Sequence, residues 1–263
     1  MSEPSAVFAD GRVYERLMGR WSRLAGRTFL DWLALPKGLR CIDVGCGNGA
    51  FTEELIAHSA PAAVAGVDPS DGQLAHARSR TEASLAQFQT GDAQALPFAD
   101  RSFDAALMAL VISFVPDPAS AVREMARVTR PGGMVATYMW DAAGGGIPVE
   151  PIHEAMRRLG LEAPHPPGLT VSRQDSMQAL WREAGLASVE THVIRIEVSF
   201  SGFDDFWDSN NVPVGPAGQA IQRLSSGMRE QLKAQLREQL PTGPGGRIAY
   251  KAFANAVKGR VPN

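Results

Sequence analysis

Three glycines at alternate positions, Gly45, Gly47 and Gly49, separate a short apolar run from a helical stretch. The run 39–44 has the length of a buried strand, and 50–58 has the apolar spacing of a helix. Glycine adopts positive φ readily and lets a ligand approach the backbone, and the first N–H groups of a helix lack partners within the helix. The segment therefore predicts a strand, a tight turn and a helix with a ligand at the turn, although a purely structural turn or a dinucleotide-binding turn would also fit.

Strand-like and helix-like segments continue to alternate up to residue 140. Apolar runs predict strands at 63–67, 85–89, 103–110 and 134–140, and amphipathic stretches predict helices at 71–82 and 119–128. Alternation of this kind is typical of an α/β fold, with a mostly parallel sheet and helices on both faces.

We expect one domain built from four consecutive parts. The ligand-binding core is 39–140, and an amphipathic helix in 12–35 precedes it as a cap. Segment 141–185 is rich in glycine and proline and is interpreted as an insertion over the site. The remaining part, 186–263, completes the fold with strands and helices.

The last part shows a change of phase in its apolar pattern. Val189, Thr191 and Val193 alternate in one register, and the apolar residues from Ile194 to Phe200 alternate in the other, which predicts a long strand with a bulge. A helix is predicted near 221–240 and a final strand at 247–257.

Composition and charge narrow the class of protein. Lysine and arginine total 26 against 28 acidic residues, for a formal charge of -2, so no overall positive field favours nucleic acid or anionic lipid. The two cysteines, Cys41 and Cys46, lie too close together for a disulfide framework and lack the partners of a zinc site, so we expect no metal. No stretch approaches the roughly 20 apolar residues of a membrane span. We expect a soluble, cytoplasmic protein that binds neither membrane nor nucleic acid.

Asp68 follows the second predicted strand, 19 residues after Gly49. An acidic side chain there accepts hydrogen bonds from both hydroxyls of a bound ribose, so this spacing favours a nucleoside-type ligand. A turn aspartate before Pro69 is the alternative interpretation.

Together these segments resemble the class I S-adenosylmethionine-dependent methyltransferases, particularly the small-molecule group that includes quinone and sterol methyltransferases. The resemblance runs from about 39 to 140 and rests on the Asp43 to Gly49 segment, Asp68, Asp92 in Gly-Asp-Ala, the 96–104 lead-in to the fourth strand, and Arg-Pro-Gly-Gly at 130–133. It implies a Rossmann-like, mostly parallel seven-stranded sheet whose last strand is antiparallel, with a helical cap and insertion. It also implies S-adenosyl-L-methionine as the cofactor.

The resemblance also implies roles for individual residues. The glycine segment would wrap the methionine portion of the cofactor, Asp68 would hold the ribose, and Asp92 would recognise the adenine amino group. Arg20 could pair with the cofactor's carboxylate, although a solvated surface arginine is the alternative. Gln73 stands where many relatives have a methionine. The predicted cofactor-binding residues are Tyr14, Arg20, Asp43, Gly45, Cys46, Gly47, Gly49, Asp68, Pro69, Ser70, Asp92, Ala93 and Met108.

The methyl acceptor is expected to be a small organic molecule, with O-, N- and C-methylation all open. The catalytic residues remain unknown. Candidates for a proton-removing base are His153, His165, Tyr138 and Asp141, because they lie at or after the end of the fifth predicted strand. The segment 203–207 with Met177 and Trp181 supplies aromatic surface for an acceptor pocket or for the core.

Two other functions fit parts of the pattern. Cofactor motifs report binding only, so a non-catalytic S-adenosylmethionine-binding protein stays open. An NAD(P)-dependent oxidoreductase fits the glycine turn but does not need Asp92 or the lead-in to the fourth strand. The sequence leaves open whether the protein is a monomer or a homodimer.

Overall fold

The computed structural model describes residues 19–80, 85–213 and 215–263. The predicted contacts of Tyr14 and of the Arg20 side chain lie outside the described residues. Seven strands form one sheet in the order β3-β2-β1-β4-β5-β7-β6. Their bounds are β1 Arg40–Val44, β2 Ala63–Asp68, β3 Ala86–Thr90, β4 Phe103–Ala109, β5 Thr129–Trp140, β6 Ala187–Phe200 and β7 Ile248–Arg260.

Helices connect the strands and cover both faces of the sheet. Their bounds are α1 Arg20–Leu33, α2 Ala50–Ser59, α3 Asp71–Arg78, α4 Pro118–Val128, α5 Glu150–Arg158, α6 Gln174–Glu183, α7 Phe203–Asn210, α8 Gly215–Arg223 and α9 Ser226–Gln239. Short 3₁₀ turns lie at Ile112–Phe114, Leu169–Ser172 and Pro244–Gly246. The start of α4 illustrates the local rules, because Asp117 accepts a hydrogen bond from the Ser120 N–H at 3.1 Å and Pro118 occupies the first helical position.

The strand directions confirm the predicted fold class. Neighbouring strands among β1 to β5 pair in parallel, whereas β7 runs antiparallel to both β5 and β6. The chain proceeds outward from β1 through β2 to β3 and then returns to β4 on the other side of β1. Ligands of open α/β sheets bind where the strand order reverses in this way, at the carboxyl ends of the strands.

The core consists of two hydrophobic clusters on opposite faces of the sheet. One contains Phe29 of α1 and Leu55 of α2, and the other contains Met125 of α4 and Trp181 of α6. All four side chains are fully buried. Burial of this kind stabilises the fold by about 1.5–3 kcal/mol for each large apolar side chain.

The change of phase in β6 has a cause other than the predicted bulge. Pairing with β7 is regular through Val193 and Ile194, and the register shifts earlier, between Ala187 and Glu190. In the first half of β6, Val189 packs against the cluster of α4 and α6. The second half buries Ile194 and the alternate residues after it in the cluster of α1 and α2. The apolar phase changes because different helices cover opposite faces of the two halves of β6. The position predicted for the bulge was therefore wrong.

Two other predicted elements differ in extent. The helix expected near 221–240 is two helices, because the Ser225 hydroxyl accepts a hydrogen bond from the Met228 N–H at 3.3 Å and begins α9 as an N-cap. Strand β5 begins at Thr129, which pairs with Phe103 before the register shifts. Within the described ranges, the helices are all too short or too polar to cross a bilayer.

Candidate active site

A cleft of about 300 Å³ opens at the carboxyl ends of β1, β2, β4 and β5, where the strand order reverses. Its lining divides into two parts of different chemistry. The glycine side comprises Gly45, Cys46, Gly47, Asn48, Ala50, Val67, Asp68, Pro69, Ser70, Gln73, Gly91, Asp92 and Ala93. The apolar side comprises Ala109, Leu110, Val111, Phe114, Val115, Pro116, Phe51 and Tyr138, with the polar residues Ser22, Arg23 and Glu54.

The three glycines of the turn differ in what a side chain at each position would contact. All three have positive φ, at 74° for Gly45, 52° for Gly47 and 81° for Gly49. A Cβ on Gly45 would lie 2.6 Å from a methyl group of Val111, and one on Gly49 would lie 3.1 Å from Ala77. A Cβ on Gly47 would meet nothing within 4 Å. Gly45 and Gly49 therefore permit close packing, whereas Gly47 leaves open space where the turn lines the cleft.

Asp68 ties the end of β2 to the glycine turn. Its Oδ2 accepts a hydrogen bond from the Gly47 N–H at 2.9 Å, and its Oδ1 accepts one from the Ser70 N–H at 2.9 Å. Burial raises the pKa of Asp68, and these two hydrogen bonds oppose the rise. Each carboxylate oxygen has two lone pairs, so Asp68 retains the capacity to accept hydrogen bonds from a diol in the cleft.

Asp43 lies beneath the turn and is fully buried. The Thr52 hydroxyl donates a hydrogen bond to its Oδ2 at 2.6 Å, while its Oδ1 has no hydrogen-bond partner among the described residues. Burial raises the pKa of Asp43 to about 7, the Thr52 hydrogen bond opposes this, and the charge of Asp68 adds to it. Asp43 does not line the cleft, so its predicted contact with the cofactor stays a prediction.

Asp92 and Ala93 lie on the glycine side, as the sequence places them. Asp92 is exposed, and both of its oxygens accept hydrogen bonds from the Gln94 side chain at 3.1 Å. The Gln94 side-chain Oε1 in turn accepts a hydrogen bond from the Asp117 N–H at 3.0 Å. This chain of contacts fixes the carboxylate at the rim of the cleft.

The turn after β4 forms one wall of the apolar side and is strained. Leu110 has φ of 62°, a left-handed conformation that non-glycine residues seldom adopt. It is held there because its N–H donates a hydrogen bond to the Tyr138 carbonyl oxygen at 2.9 Å. Strain of this kind is concentrated at functional sites, where the surrounding structure holds it in place.

Helix α1 closes the other end of the apolar side. Gly26 allows the close approach, since a Cβ there would lie 3.3 Å from Phe51 and 3.4 Å from the Tyr138 hydroxyl oxygen. Arg27 donates two hydrogen bonds to Glu54 of α2, at 2.7 and 3.2 Å, and Arg23 Nε lies 3.9 Å from the same carboxylate. The polar groups at this end therefore form a charge cluster that holds α1 against α2.

The residues predicted as bases are placed in different parts of the molecule, and Tyr138 is the one that lines the cleft. Asp141 accepts hydrogen bonds from Gly144 N–H and Asn255 Nδ2 in a separate depression. His165 is exposed, with Nδ1 3.1 Å from the Pro166 carbonyl oxygen.

His153 is buried in α5 and does not line the cleft. Burial lowers its pKa to about 4, and the positive charge of Arg157 and the imidazole of His165 add to this. The imidazole is therefore neutral at pH 7, but the structure does not bring it to the cleft.

Other predicted site residues belong to the core. Met108 is fully buried in the hydrophobic cluster of α4 and α6, and the cleft is lined by its neighbour Ala109 instead. Met177 and Trp181 are also fully buried, and the Trp181 indole donates a hydrogen bond to the Val135 carbonyl oxygen at 2.9 Å. The aromatic residues of 203–207 pack in the cluster of α1. For these aromatic residues, core packing is the interpretation that the structure favours.

Segment 141–185, predicted to cover the site, contributes no residue to the cleft lining. It packs behind the apolar side, where the Gly168 N–H donates a hydrogen bond to the Ser113 carbonyl oxygen at 2.9 Å. A Cβ on Gly168 would lie 3.0 Å from that oxygen. The insertion thus supports the turn that carries Phe114.

The sequence interpretation did not include Ser22, Arg23, Phe51 and Glu54 among the site residues. The periodicity of α1 and α2 identifies their helices but not which side of each helix faces the sheet edge. The small residues Ser22 and Gly26, four apart on α1, were the available signal for a close helix contact.

Comparison with known proteins agrees with this geometry. Residues 42–137 match a family model described as a methyltransferase domain. A demethylmenaquinone methyltransferase of Mycobacterium sp. (strain KMS) is 34% identical over 159 residues, which cover 59% of this chain and 66% of the relative. A protein of Mycobacterium tuberculosis whose function is uncharacterized is 35% identical over 107 residues, and the match spans 41% of this chain and 39% of that relative.

A solved structure shows the same fold over most of the chain. It is the phosphoethanolamine N-methyltransferase 2 of Haemonchus contortus in complex with phosphomonomethylethanolamine and S-adenosylhomocysteine, at 17% identity and a TM-score of 0.57. The superposition covers 95% of this chain and 56% of that one.

The reversed strand order, the glycine turn and Asp68 define an α/β protein with a cleft at the carboxyl ends of its strands. Together with the family match, they place the molecule more narrowly. Residues 42–137 form a methyltransferase domain, of the kind found in the class I S-adenosylmethionine-dependent methyltransferases.

Proposed function

We propose that the protein transfers a methyl group from S-adenosyl-L-methionine to a small organic acceptor with an apolar skeleton. The observation that carries this proposal is the division of one cleft into a glycine side and an apolar side. The glycine side offers backbone and carboxylate groups to a polar nucleoside. The apolar side offers aromatic and aliphatic surface to a second molecule within the same 300 Å³.

The residues of the glycine side fit the cofactor. Open space at Gly47 allows a ligand to approach the backbone, and Asp68 and Asp92 supply acceptors for a ribose diol and an exocyclic amine. When bound, the cofactor supplies a methyl group made electrophilic by its sulfonium. The protein's own task is then to position the acceptor and to exclude water from the space between the two sides.

Two observations support a small apolar acceptor over a nucleic acid. The formal charge of -2 provides no field for a phosphate backbone, and the apolar side carries Phe51, Leu110, Val111 and Phe114. The quinone named for the mycobacterial relative also has an apolar skeleton, which supports this class of acceptor. The cytoplasmic location stays a prediction from the sequence.

The Asp68→Ala variant tests the cofactor site. It removes the acceptors of a ribose diol and of the Gly47 and Ser70 N–H groups, and each hydrogen bond to a charged group is worth about 1.5–3 kcal/mol. We expect the affinity for S-adenosylhomocysteine, measured by calorimetry, to fall on the order of a hundredfold.

Asp100→Ala is the matched control, because Asp100 pairs with Arg127 outside the cleft. It should bind S-adenosylhomocysteine within twofold of the wild type. If wild-type protein binds NAD and is protected by it against heat while S-adenosylhomocysteine gives no protection, the oxidoreductase alternative replaces our proposal. If S-adenosylhomocysteine binds but a screen of phenols, quinols and amines detects no methylated product, the non-catalytic alternative gains support.

A further inference from the structure

Among the residues that the structure describes, the apolar side contains one phenolic hydroxyl, that of Tyr138, at the carboxyl end of β5. The other polar side chains of this side are Ser22, Arg23 and Glu54. Arg23 and Glu54 belong to the charge cluster that joins α1 to α2, which also engages Arg27. An acceptor that used them would have to compete with these ion pairs. Ser22 lies on α1, whereas Tyr138 is the polar side chain that belongs to the aromatic wall itself.

The Tyr138 ring is held rigidly. The residue is 1% exposed, its ring centroid lies 4.7 Å from that of Phe29, and the ring centroid of Phe51 lies 6.1 Å away on the cleft side. The backbone carbonyl of Tyr138 also accepts the Leu110 N–H, which joins this strand end to the strained turn. A polar group fixed in this way binds a partner with little loss of side-chain entropy.

The direction of the Tyr138 hydroxyl hydrogen bond decides what it recognises. The O–H lies 3.4 Å from the Ser22 carbonyl oxygen, to which it donates. A phenolic oxygen that donates its hydrogen still has lone pairs that accept. While that bond is kept, it recognises a ligand group that donates an O–H or N–H, which an ether cannot do.

We propose that Tyr138 is a specificity-determining residue that accepts a hydrogen bond from the O–H or N–H of the methyl acceptor. This deepens, and rests on, the proposed function. The contact orients the nucleophilic atom within the apolar side and is lost once that atom is fully methylated. A hydroxylated acceptor is thus retained in preference to its methyl ether, which favours release of the product.

A pair of small probes tests the proposal by binding, with no need for turnover. The probes are 4-chlorophenol and 4-chloroanisole, which differ by one methyl group and are both neutral at pH 7. Each is titrated by calorimetry into protein saturated with S-adenosylhomocysteine. We expect wild-type protein to bind the phenol about tenfold more tightly than the ether, the effect of one neutral hydrogen bond.

The Tyr138→Phe variant retains the ring and removes the hydroxyl. We expect its preference for the phenol to fall below threefold, with affinity for 4-chloroanisole and S-adenosylhomocysteine within twofold of the wild type. Tyr250→Phe is the matched control, because its hydroxyl donates to the Pro148 carbonyl oxygen outside the cleft, and it should keep the wild-type preference.

Three results would overturn the proposal: a full preference in Tyr138→Phe, no preference in wild type, or no binding of either probe. Each leaves the proposed function intact if S-adenosylhomocysteine still binds. Failure of the proposed function has a different signature, since S-adenosylhomocysteine would then not bind at all.

Discussion

The Gly45→Ala variant is expected to lose about 3 kcal/mol of folding stability, measured as the free energy of unfolding in urea. Two effects contribute. An alanine at φ of 74° is strained by about 1–2 kcal/mol, and its Cβ would lie 2.6 and 2.7 Å from the two methyl groups of Val111, an overlap that costs about 1–3 kcal/mol. The clash joins the glycine turn to the turn after β4, so both sides of the cleft should be disturbed together.

A matched substitution separates strain from overlap. Gly47 also has positive φ, but a Cβ there has open space, so Gly47→Ala should cost only about 1 kcal/mol of stability. Because that methyl group would stand where the turn lines the cleft, we expect its main effect to be weaker binding of S-adenosylhomocysteine. Equal losses of stability in the two variants would contradict the role assigned to Val111.

Removal of the Val111 methyl groups provides a second check. In a Val111→Ala background, the two closest contacts of the new Cβ disappear, so Gly45→Ala should cost less than it does in the wild type. The difference is the coupling free energy of a double-mutant cycle, and we expect about 1–2 kcal/mol. If the losses of stability caused by the two substitutions are strictly additive, residues 45 and 111 have no coupling free energy.

The glycine side could be predicted from sequence because its geometry is local. The parallel strands β1 and β2 end at the same edge of the sheet, so the glycine turn and Asp68 are brought together once both strands are identified. Even so, the sequence did not reveal that Asp43 lies beneath the turn. Its position at the end of a strand left open which face its side chain occupies.

The apolar side could not be predicted in the same way because it depends on long-range packing. Phe51 and Ser22 reach the cleft only through the crossing of α1 over α2, and Gly26 permits that approach. Met108 was misleading for a different reason. Both faces of β4 are covered, so its apolar run has no alternation to show that Ala109, one residue later, is the residue at the cleft.

The two sides are connected by the turn that follows β4. Leu110 is bonded to the backbone of Tyr138, and the next residue, Val111, packs on Gly45. A shift of this turn toward an acceptor would therefore also move the wall against which the cofactor turn rests. In our proposal the methyl acceptor and the cofactor meet beside this turn. The coupling between them therefore passes through Leu110, whose backbone conformation is strained.

Asp43→Asn should change how folding stability depends on pH. Below about pH 4, Asp43 carries a proton in both folded and unfolded chains, so burial carries no ionisation penalty. Between pH 4 and 7 the unfolded chain releases the proton, whereas the folded chain retains it, because the pKa is about 7 against an ordinary 3.8. The free energy of unfolding contributed by this group therefore falls as pH rises, by about 4 kcal/mol in total, and is constant above pH 7.

Asparagine cannot titrate, yet its side-chain oxygen can still accept the Thr52 hydroxyl. From pH 4 to pH 7, the free energy of unfolding of Asp43→Asn, measured in urea, should therefore rise by about 4 kcal/mol relative to that of the wild type. Asp104→Asn is a control of opposite sign. Burial raises the pKa of Asp104, but hydrogen bonds from Arg130 and the Arg40 N–H lower it overall to below its ordinary 3.8. The wild type should therefore gain stability over Asp104→Asn as pH rises toward about 4, and the difference should stay constant between pH 4 and 7. Parallel curves for wild type and Asp43→Asn would mean that Asp43 is ionised in the folded protein throughout this range, which would contradict the raised pKa.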